Sequence, residues 1–281
     1  MSNPFNPCTA APQPAHSMRR HALLPQLEWR LTHDSHAHYH PHTHDEFSVG
    51  VIDAGAATCT VPGHTRTLRA GMTVALNPGE PHACNPADRQ RWSYRMLFID
   101  TAWVAALQHA CGVRTAGLDW APFAPTVPNP AAAYQAFNHL FDQLLHEADP
   151  AALETALVDY LLSHGFAPHT ARPPANAPLA QLNQAKALIL DRLDTPVSLA
   201  DLEHACDLNR FHLIRSFKQV FGQTPHAFQL DQRINRAKRL LRQGHALADV
   251  AHALGFADQS HFQRHFKKRH ALTPRAYQTG G

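Results

Sequence analysis

A stretch of sequence that occurs twice constrains this chain more than any other feature. Leu199-Ala-Asp-Leu-Glu-His-Ala-Cys-Asp-Leu208 aligns with Leu247-Ala-Asp-Val-Ala-His-Ala-Leu-Gly-Phe256 at an offset of 48 residues. With one residue added, His212-Leu-Ile-Arg-Ser-Phe-Lys218 aligns with His261-Phe-Gln-Arg-His-Phe-Lys267 at an offset of 49. The same offset pairs Thr224-Pro225 with Thr273-Pro274, and Phe228 with Tyr277. One supersecondary unit is therefore used twice, and the fold must house both copies.

The pattern within the unit identifies it. Ser198 followed by Asp201 has the outline of a helix N-cap with an acid in the first turn, and Leu199, Leu202, Ala205 and Cys206 form a short apolar stripe. Asp207 and Gly255 fall where each short helix must turn, and Asn209 and Asp258 cap a second helix. In the first copy Leu213, Phe217, Val220 and Phe221 share an inner face, leaving Phe211, Ile214, Arg215 and Lys218 outside. In the second, Phe262 and Phe266 face inward; Gln259, Gln263 and Lys267 form one outer ridge, and Ser260, Arg264 and Lys268 the next. A short helix, a tight turn and a second helix with a basic outer face describe a helix-turn-helix. Arg and Gln read base edges bidentately, whereas Lys settles on phosphates. One copy alone would equally suit a helical hairpin with a solvated basic face; two copies with the same outward arginine favour DNA.

Between the copies, Leu230 to Gln243 lacks Gly and Pro and predicts one helix. At ~1.5 Å per residue it extends about 20 Å, enough to hold two reading helices toward major grooves roughly 34 Å apart. Its Arg233, Arg236, Lys238 and Arg239 are read either as phosphate contacts or as a solvated surface.

Composition sharpens the division. The 281 residues carry a formal charge of only +3, but residues 180–281 hold +7 and residues 1–179 hold −4. The seam is the Pro-rich run around His169 to Pro178, which predicts a stiff linker over 166–179. Five scattered cysteines with no C-x-x-C pair argue against a disulfide framework or thiolate zinc knuckle. The N-terminus lacks the layout of a secretory signal, and no apolar run approaches the ~20 residues of a membrane helix. A cytoplasmic protein is expected.

Upstream of the linker, residues 47–52, 57–61, 73–76 and 94–99 read as short strands separated by Gly and Pro turns, the spacing of a small antiparallel barrel or sandwich. From Ala131 the period changes: Tyr134 to Leu145 and Leu153 to Leu161 predict two amphipathic helices, either capping the barrel or forming a dimer seam. The fold class is thus α+β in two domains, a barrel followed by two helices and an all-α domain with two helix-turn-helix units joined by a helix. The expected boundaries are a poorly ordered or extended arm over 1–35, the barrel domain over 36–165, the linker over 166–179 and the DNA-binding domain over 180–281. His36, His38, His40, His42, His44 and Glu46 share parity, so an extended segment would place all six on one face. Imidazoles and a carboxylate on one surface suit Zn, Ni, Cu or Fe; Pro41 and the polar surroundings favour a solvated strand.

Ala180 to Tyr277 resembles the DNA-binding domain of the AraC/XylS family of bacterial transcription regulators. The resemblance rests on Leu199-x-x-Leu-x-x-Ala-x-x-Leu208, His212-Leu-x-Arg-x-Phe-Lys218, Thr224-Pro225, Arg233-x-x-x-Ala237, Gly255-Phe-x-Asp-Gln-Ser-His-Phe-x-Arg-x-Phe-Lys267 and Thr273-Pro-x-x-Tyr277. It implies base contacts for Phe211, Ile214 and Arg215 and for Gln259, Ser260, Gln263 and Arg264, with Lys218 and Lys267 beside them; Asp207 stands where the family commonly has glycine. Residues 36–100 resemble the family's cupin-like effector-binding domain, through His42-Thr-His-Asp-Glu-Phe47 and Gly71 to His82. This implies a polar effector met by His42, His44, Glu46 and His82. Metal cupins are similar too, with ligands mapping to His42, His44 and His82, but their glutamate lies beyond Glu46, at Ser48 or Val49, so neither metal nor cofactor is expected. The expected partners are promoter DNA, a small-molecule effector, a second copy of the chain and, for an activator, RNA polymerase. The competing reading is a metal-dependent cupin sensor or enzyme fused to a DNA-binding module; a methyl-accepting repair sensor would need clustered cysteines. No enzymatic activity is expected.

Overall fold

Alternating apolar side chains set the N-terminal half. In the computed structural model, which describes residues 16–87, 90–111, 119–122, 130–146, 149–164 and 178–280, eight strands form: β1 His16–Arg20, β2 Leu27–Ser35, β3 Phe47–Ala54, β4 Ala56–Val61, β5 His64–Arg69, β6 Thr73–Leu76, β7 Ala83–Pro86 and β8 Trp92–Ile99. All pair antiparallel, in a five-stranded sheet of order β1-β2-β8-β3-β6 and a three-stranded sheet of order β5-β4-β7. Ile52, Val74, Met96 and Phe98 meet Ala57, Cys59 and Leu68 in one buried cluster between the sheets. The barrel is therefore two facing sheets rather than a closed cylinder.

The odd residues of β3 (Phe47, Val49, Val51) and of β8 (Leu97, Ile99) face the other way. They are covered by α2 Pro130–Leu145 and α3 Pro150–Ser163 through Phe137, Leu140, Phe141, Leu153 and Leu157, with α1 Thr101–Ala110 adding Val104. The helical stripe packs on this face of the sheet. Arg95 lies on the same face as Leu97 and is buried there. Its guanidinium pairs with Asp53 at 2.6 and 2.9 Å, bonds Asn138 of α2, and sits 5.1 Å from the Phe141 ring centre.

Two N-terminal expectations are corrected. Residues 16–35, read as part of an arm, instead form β1 and β2, because Leu27, Trp29 and Leu24 have the apolar helix face to pack on. The histidine-rich segment is not a continuous strand: His36, His38 and His40 are exposed, while His42 and His44 are buried. Beyond Pro41 the chain is tied by the paired backbone bonds His42 N–H to His82 O (3.0 Å) and His82 N–H to His42 O (2.9 Å). The predicted linker lies outside the described residues except for Pro178 and Leu179.

The C-terminal half is helical: α4 Leu179–Asp191, α5 Leu199–Cys206, α6 Arg210–Phe221, α7 Pro225–Arg242, α8 Leu247–Ala253, α9 Gln259–His270 and α10 Pro274–Thr279. The caps follow the sequence signals. Ser198 and Asp201 form a capping box, Asn209 and Asp258 cap α6 and α9, and Thr224-Pro225 and Thr273-Pro274 start α7 and α10 with Pro in the first turn. Asp207 takes the left-handed conformation (φ 49°) that Gly255 takes in the second copy (φ 64°), so the two turns match despite the different residue. Gly255 has a further reason to lack a side chain: a Cβ there would lie 2.0 Å from the Asp194 carbonyl oxygen.

The first unit has its own core, from Leu182, Ile189, Leu202, Leu213, Phe217 and Phe228. The core of the second runs into that of the sheets. Its Val250, Phe256, Phe262, Phe266 and Tyr277 join the cluster that fills the space between the sheets. Asp53→Ala, which strips the buried Arg95 of its carboxylate, should cost about 3–5 kcal/mol in chemical denaturation, as expected when one partner of a buried ion pair is removed; a loss below 1 kcal/mol would show that Asn138 alone suffices.

Candidate functional site

The two second helices, α6 and α9, present the faces expected of them. Leu213 and Phe217 are fully buried, as are Phe262 and Phe266. Outside, Phe211 is 79% exposed, Arg215 and Lys218 are exposed, and Ile214 is half-buried. On α9, Gln259, Ser260, Arg264 and Lys267 are exposed and Gln263 is half-buried. Arg215 and Lys218 do not look into open solvent alone. They line a cleft of about 1000 Å³ whose opposite wall is Thr60 to Gly63, at the β4–β5 turn, and Pro81 to Ala83. At the end of α6, Gly222 (φ 70°) packs so closely on this wall that a Cβ would lie 2.8 Å from Pro62 and Pro81.

The connecting helix α7 corrects the reading of its cations. Arg233 is buried and donates to the carbonyl oxygens of Leu193 (2.6 Å) and Gly255 (2.9 Å), tying the two units together. Lys238 is 2% exposed in its side chain and pairs with Glu46 at 2.9 Å. Arg239 is half-exposed beside Asp45 at 3.6 Å. Of the four, Arg236 alone is exposed with no ion-pair partner among the described residues.

Sequence reasoning missed what α7 does instead. Asp231, Asn235, Lys238 and Arg242 recur at spacings of 4, 3 and 4, which places them on one helix face, and all four bind the sheet domain. Asp231 accepts from the Thr43 amide (2.9 Å) and hydroxyl (2.6 Å), and Asn235 donates to that hydroxyl (2.9 Å). Arg242 bonds Glu46 and pairs with Glu28 at 2.6 Å; Glu28 also accepts from the Tyr277 hydroxyl and pairs with Arg20 at 3.0 Å. Burial alone would raise the Glu46 carboxyl, but Lys238 and Arg242 outweigh it and hold it at about 2. Glu46, expected at an effector, is thus directed at the DNA-binding domain and is absent from the cavity lining. The spacing on a helix without Gly or Pro was the available signal.

The other three expected effector residues do converge. His42, His44 and His82 are all buried, with one ring nitrogen from each within 4.8 Å of the others. Their ring centres are 4.5 to 4.8 Å apart. His42 Nδ1 bonds the His40 carbonyl (2.8 Å) and His82 Nδ1 the Glu80 carbonyl (2.9 Å). A carbonyl only accepts, so both Nδ1 atoms carry the proton and both Nε2 atoms present a lone pair. Burial holds all three rings neutral: His82 falls to about 4, and His42 and His44, next to one another and to His82, fall well below the usual imidazole range. These residues edge a small cavity of about 50 Å³ between the sheets, completed by Arg30, Tyr39, Trp92, Tyr94 and apolar side chains. Arg30 is the unexpected member. It is buried, its Nε has no partner, and it donates to the His270 carbonyl of α9; no ion pair found among the described residues neutralises it. Burial works against its charge, and Tyr94, Tyr39 and Tyr277 offset that.

Lys238→Met leaves Glu46 buried with one cation fewer and should cost about 3–5 kcal/mol, with Glu46→Met/Lys238→Met recovering most of it; a fully additive double variant would show that the two side chains do not interact. Since the Glu46 pKa drops from 4.5 to about 2 on folding, its ionised form adds stability above pH 4.5. That contribution fades as pH falls through this window, and Glu46→Gln should flatten the acid limb of stability against pH there.

Comparison with known proteins agrees with this geometry. Residues 24–161 match the model of the AraC-like ligand binding domain, and residues 202–280 match that of the helix-turn-helix domain. The chain is 26% identical over 224 residues to the uncharacterized HTH-type transcriptional regulator YbfI of Bacillus subtilis, covering 78% of this chain and 80% of YbfI. It is 26% identical over 220 residues to the MmsAB operon regulatory protein of Pseudomonas aeruginosa, covering 74% of this chain and 66% of that one. Crystal structures of ToxT from Vibrio cholerae share the fold across both halves: one has a TM-score of 0.53 at 11% identity, covering 94% of this chain and 97% of ToxT. Another, bound to an unsaturated fatty acid, has a TM-score of 0.51 at 16% identity, covering 94% of each. With its two facing sheets, two helix-turn-helix units and both domain matches, the chain belongs to the AraC family of transcription regulators, a ligand-binding domain preceding a helix-turn-helix DNA-binding domain.

Proposed function

We propose that the two units read adjacent major grooves of promoter DNA, α6 through Phe211, Ile214, Arg215 and Lys218 and α9 through Gln259, Ser260, Gln263, Arg264 and Lys267. The observation that carries this is the duplicated arrangement itself: two capped helices, one burying Leu213 and Phe217 and the other Phe262 and Phe266, each with an exposed Arg and Lys on the opposite side. Arg215 and Arg264 occupy equivalent positions and suit guanine edges, while Lys218 and Lys267 suit phosphates.

The effector in this reading is a small organic anion. It enters the space between the sheets, pairs with Arg30 and bonds the hydroxyls of Tyr39 and Tyr94, with His42, His44 and His82 beside it. Arg30 supports this because a buried guanidinium without a carboxylate is costly until a ligand supplies one. The fatty acid in the ToxT structure is likewise an acid. At about 50 Å³ the cavity here is far below the ~300–1,000 Å³ of drug-sized sites, so the ligand is small or the cavity opens to admit it.

The ligand acts by favouring one arrangement of the domains over another. The wall formed by Pro62 and Pro81 stands against the α6 side of the cleft, so the seating of the sheet domain governs how DNA reaches Arg215 and Lys218. The protein acts in the cytoplasm as a regulator rather than an enzyme. It functions as a homodimer and, if an activator, contacts RNA polymerase. Among the described residues no helix is long and apolar enough to cross a membrane.

Arg264→Ala should weaken binding to the operator by about 1–3 kcal/mol and relax preference at one base, whereas Lys218→Ala should weaken all sequences alike and lower the salt dependence. Footprinting upstream of the chain's own gene supplies the operator; equal loss on random DNA for Arg264→Ala would reduce it to a phosphate contact. Arg30→Met should abolish the response of DNA binding to an anionic ligand while leaving ligand-free binding in place, and an unaltered response would exclude Arg30 from the effector site.

A further inference from the structure

The histidine cluster has a property that the effector reading does not use. Two of its imidazoles are locked by carbonyls into the tautomer that presents Nε2, and an outer partner on the far nitrogen is how metal-binding histidines are usually oriented. His82 Nε2 and His44 Nε2 lie 3.1 Å apart. At Zn–N distances of 2.0–2.1 Å, the edge of a tetrahedron is about 3.3 Å, so the pair already spans nearly the separation that a shared ion would impose. As a hydrogen bond the same contact leaves His44 Nδ1 buried with no partner.

A fourth imidazole faces the cluster from the other domain. His270, at the last turn of α9, has its ring centre 6.1 Å from that of His42 and 6.4 Å from that of His44, and its Nε2 is buried without a partner. Four imidazoles around one tetrahedral ion have ring centres about 5 Å apart, so His270 stands farther out than the other three rings and moves inward to join them. The two carboxylates of the stretch are engaged elsewhere, Glu46 with Lys238 and Asp45 with Arg239.

We propose that His42, His44 and His82 hold a divalent transition-metal ion, zinc being the best fit, at the seam between the domains, and that His270 of α9 closes its fourth position. The sequence alone favoured no metal here; the geometry reverses that. All-imidazole ligation in a tetrahedral arrangement suits Zn and Co and excludes Ca and Mg, which require oxygen. The nearby cations Lys238 and Arg269 are paired with Glu46 and Asp231, but Arg30 is not. Its charge opposes a second cation, so the ion exchanges on dialysis against a chelator rather than being permanent. Occupancy ties the sheet domain to the helix carrying Gln259, Gln263 and Arg264, making the metal a clamp on the second reading helix. None of this depends on which bases or which effector are recognised.

The test uses the full-length chain without an affinity tag, stripped with chelator and titrated with Co²⁺ and Zn²⁺. The expected result is one ion per chain, visible Co²⁺ bands of four-coordinate intensity, a raised Tm, and slower deuterium exchange in residues 259–270. His82→Gln and His42→Ala should weaken binding at least tenfold, with circular dichroism confirming that both variants fold. His36→Ala/His38→Ala/His40→Ala, which alters the exposed histidines, should bind as the parent does. His270→Ala should retain the ion more weakly, change the Co²⁺ spectrum and lose the protection of α9. Absence of a saturable ion, or binding lost with the exposed histidines and kept in His82→Gln, overturns the site. An unchanged spectrum in His270→Ala overturns the clamp. Should His82→Gln not fold, the parent's stoichiometry and spectrum, together with His270→Ala, still decide the matter.

Discussion

The buried pairing of Glu46 with Lys238 and Arg242 is the constraint on which the arrangement of this molecule depends. An isolated carboxylate at that depth would be too costly to keep ionised. It is kept charged because α7 delivers two cations from the other domain, and Glu28 and Tyr277 complete the network around Arg242. Neither domain can satisfy these groups alone. Docking of the sheets on the helices is thus enforced by polar accounting as well as by apolar area, and the partners are 192 residues apart in sequence.

The connecting helix serves both purposes because its two faces are segregated. Ile234, Ala237 and Leu241 join the buried Val250, Ala251, Leu254 and Phe256 of the second unit, whereas Asp231, Asn235, Lys238 and Arg242 bind the sheet domain. Any change that loosens the polar face is felt by the helix that spaces the two units. Asp231 illustrates the balance: burial raises it to about 6, against the opposing pull of Thr43 and Arg269. A carboxyl so poised is held by its partners rather than by solvent, and the Thr43 bonds place it immediately beside the His42–His44 segment.

The C-terminal half was legible because its signals are local. Caps at Ser198, Asn209 and Asp258 announce helix starts, and the repeat fixes which faces are equivalent. In the sheet domain only strands with strong β-branched or aromatic runs were visible. β5, with His64, Thr65, Arg66 and Arg69 exposed or half-buried, and β7, four residues long, carry little pattern. β2 mixes Glu28, Arg30 and Thr32 with Leu27, Trp29 and Leu31 and is read as part of the arm over 1–35. All three of those polar residues are in fact buried, Glu28 and Arg30 against the other domain, a fact that no strand discloses by itself. The histidine parity failed for the same reason: Pro41 and the bonds to His82 rotate the segment, so His40 is exposed and His42 buried.

The polar character of the seam bears on how it could switch. Moving a two-state equilibrium from 1:99 to 99:1 takes about 5.5 kcal/mol of differential binding, and an interface closed by apolar area alone would resist that unless a ligand competed with all of it. Here a few charged groups hold the closed form, and each regains hydration when it opens, so the net cost of separation is smaller than the number of bonds suggests. A ligand that places one charge near Arg30, or an ion between His82 and His270, acts on that balance directly. In the proposed reading, effector chemistry and DNA reading are coupled because β2, the His42–Glu46 segment, α7 and α9 meet in one buried polar network.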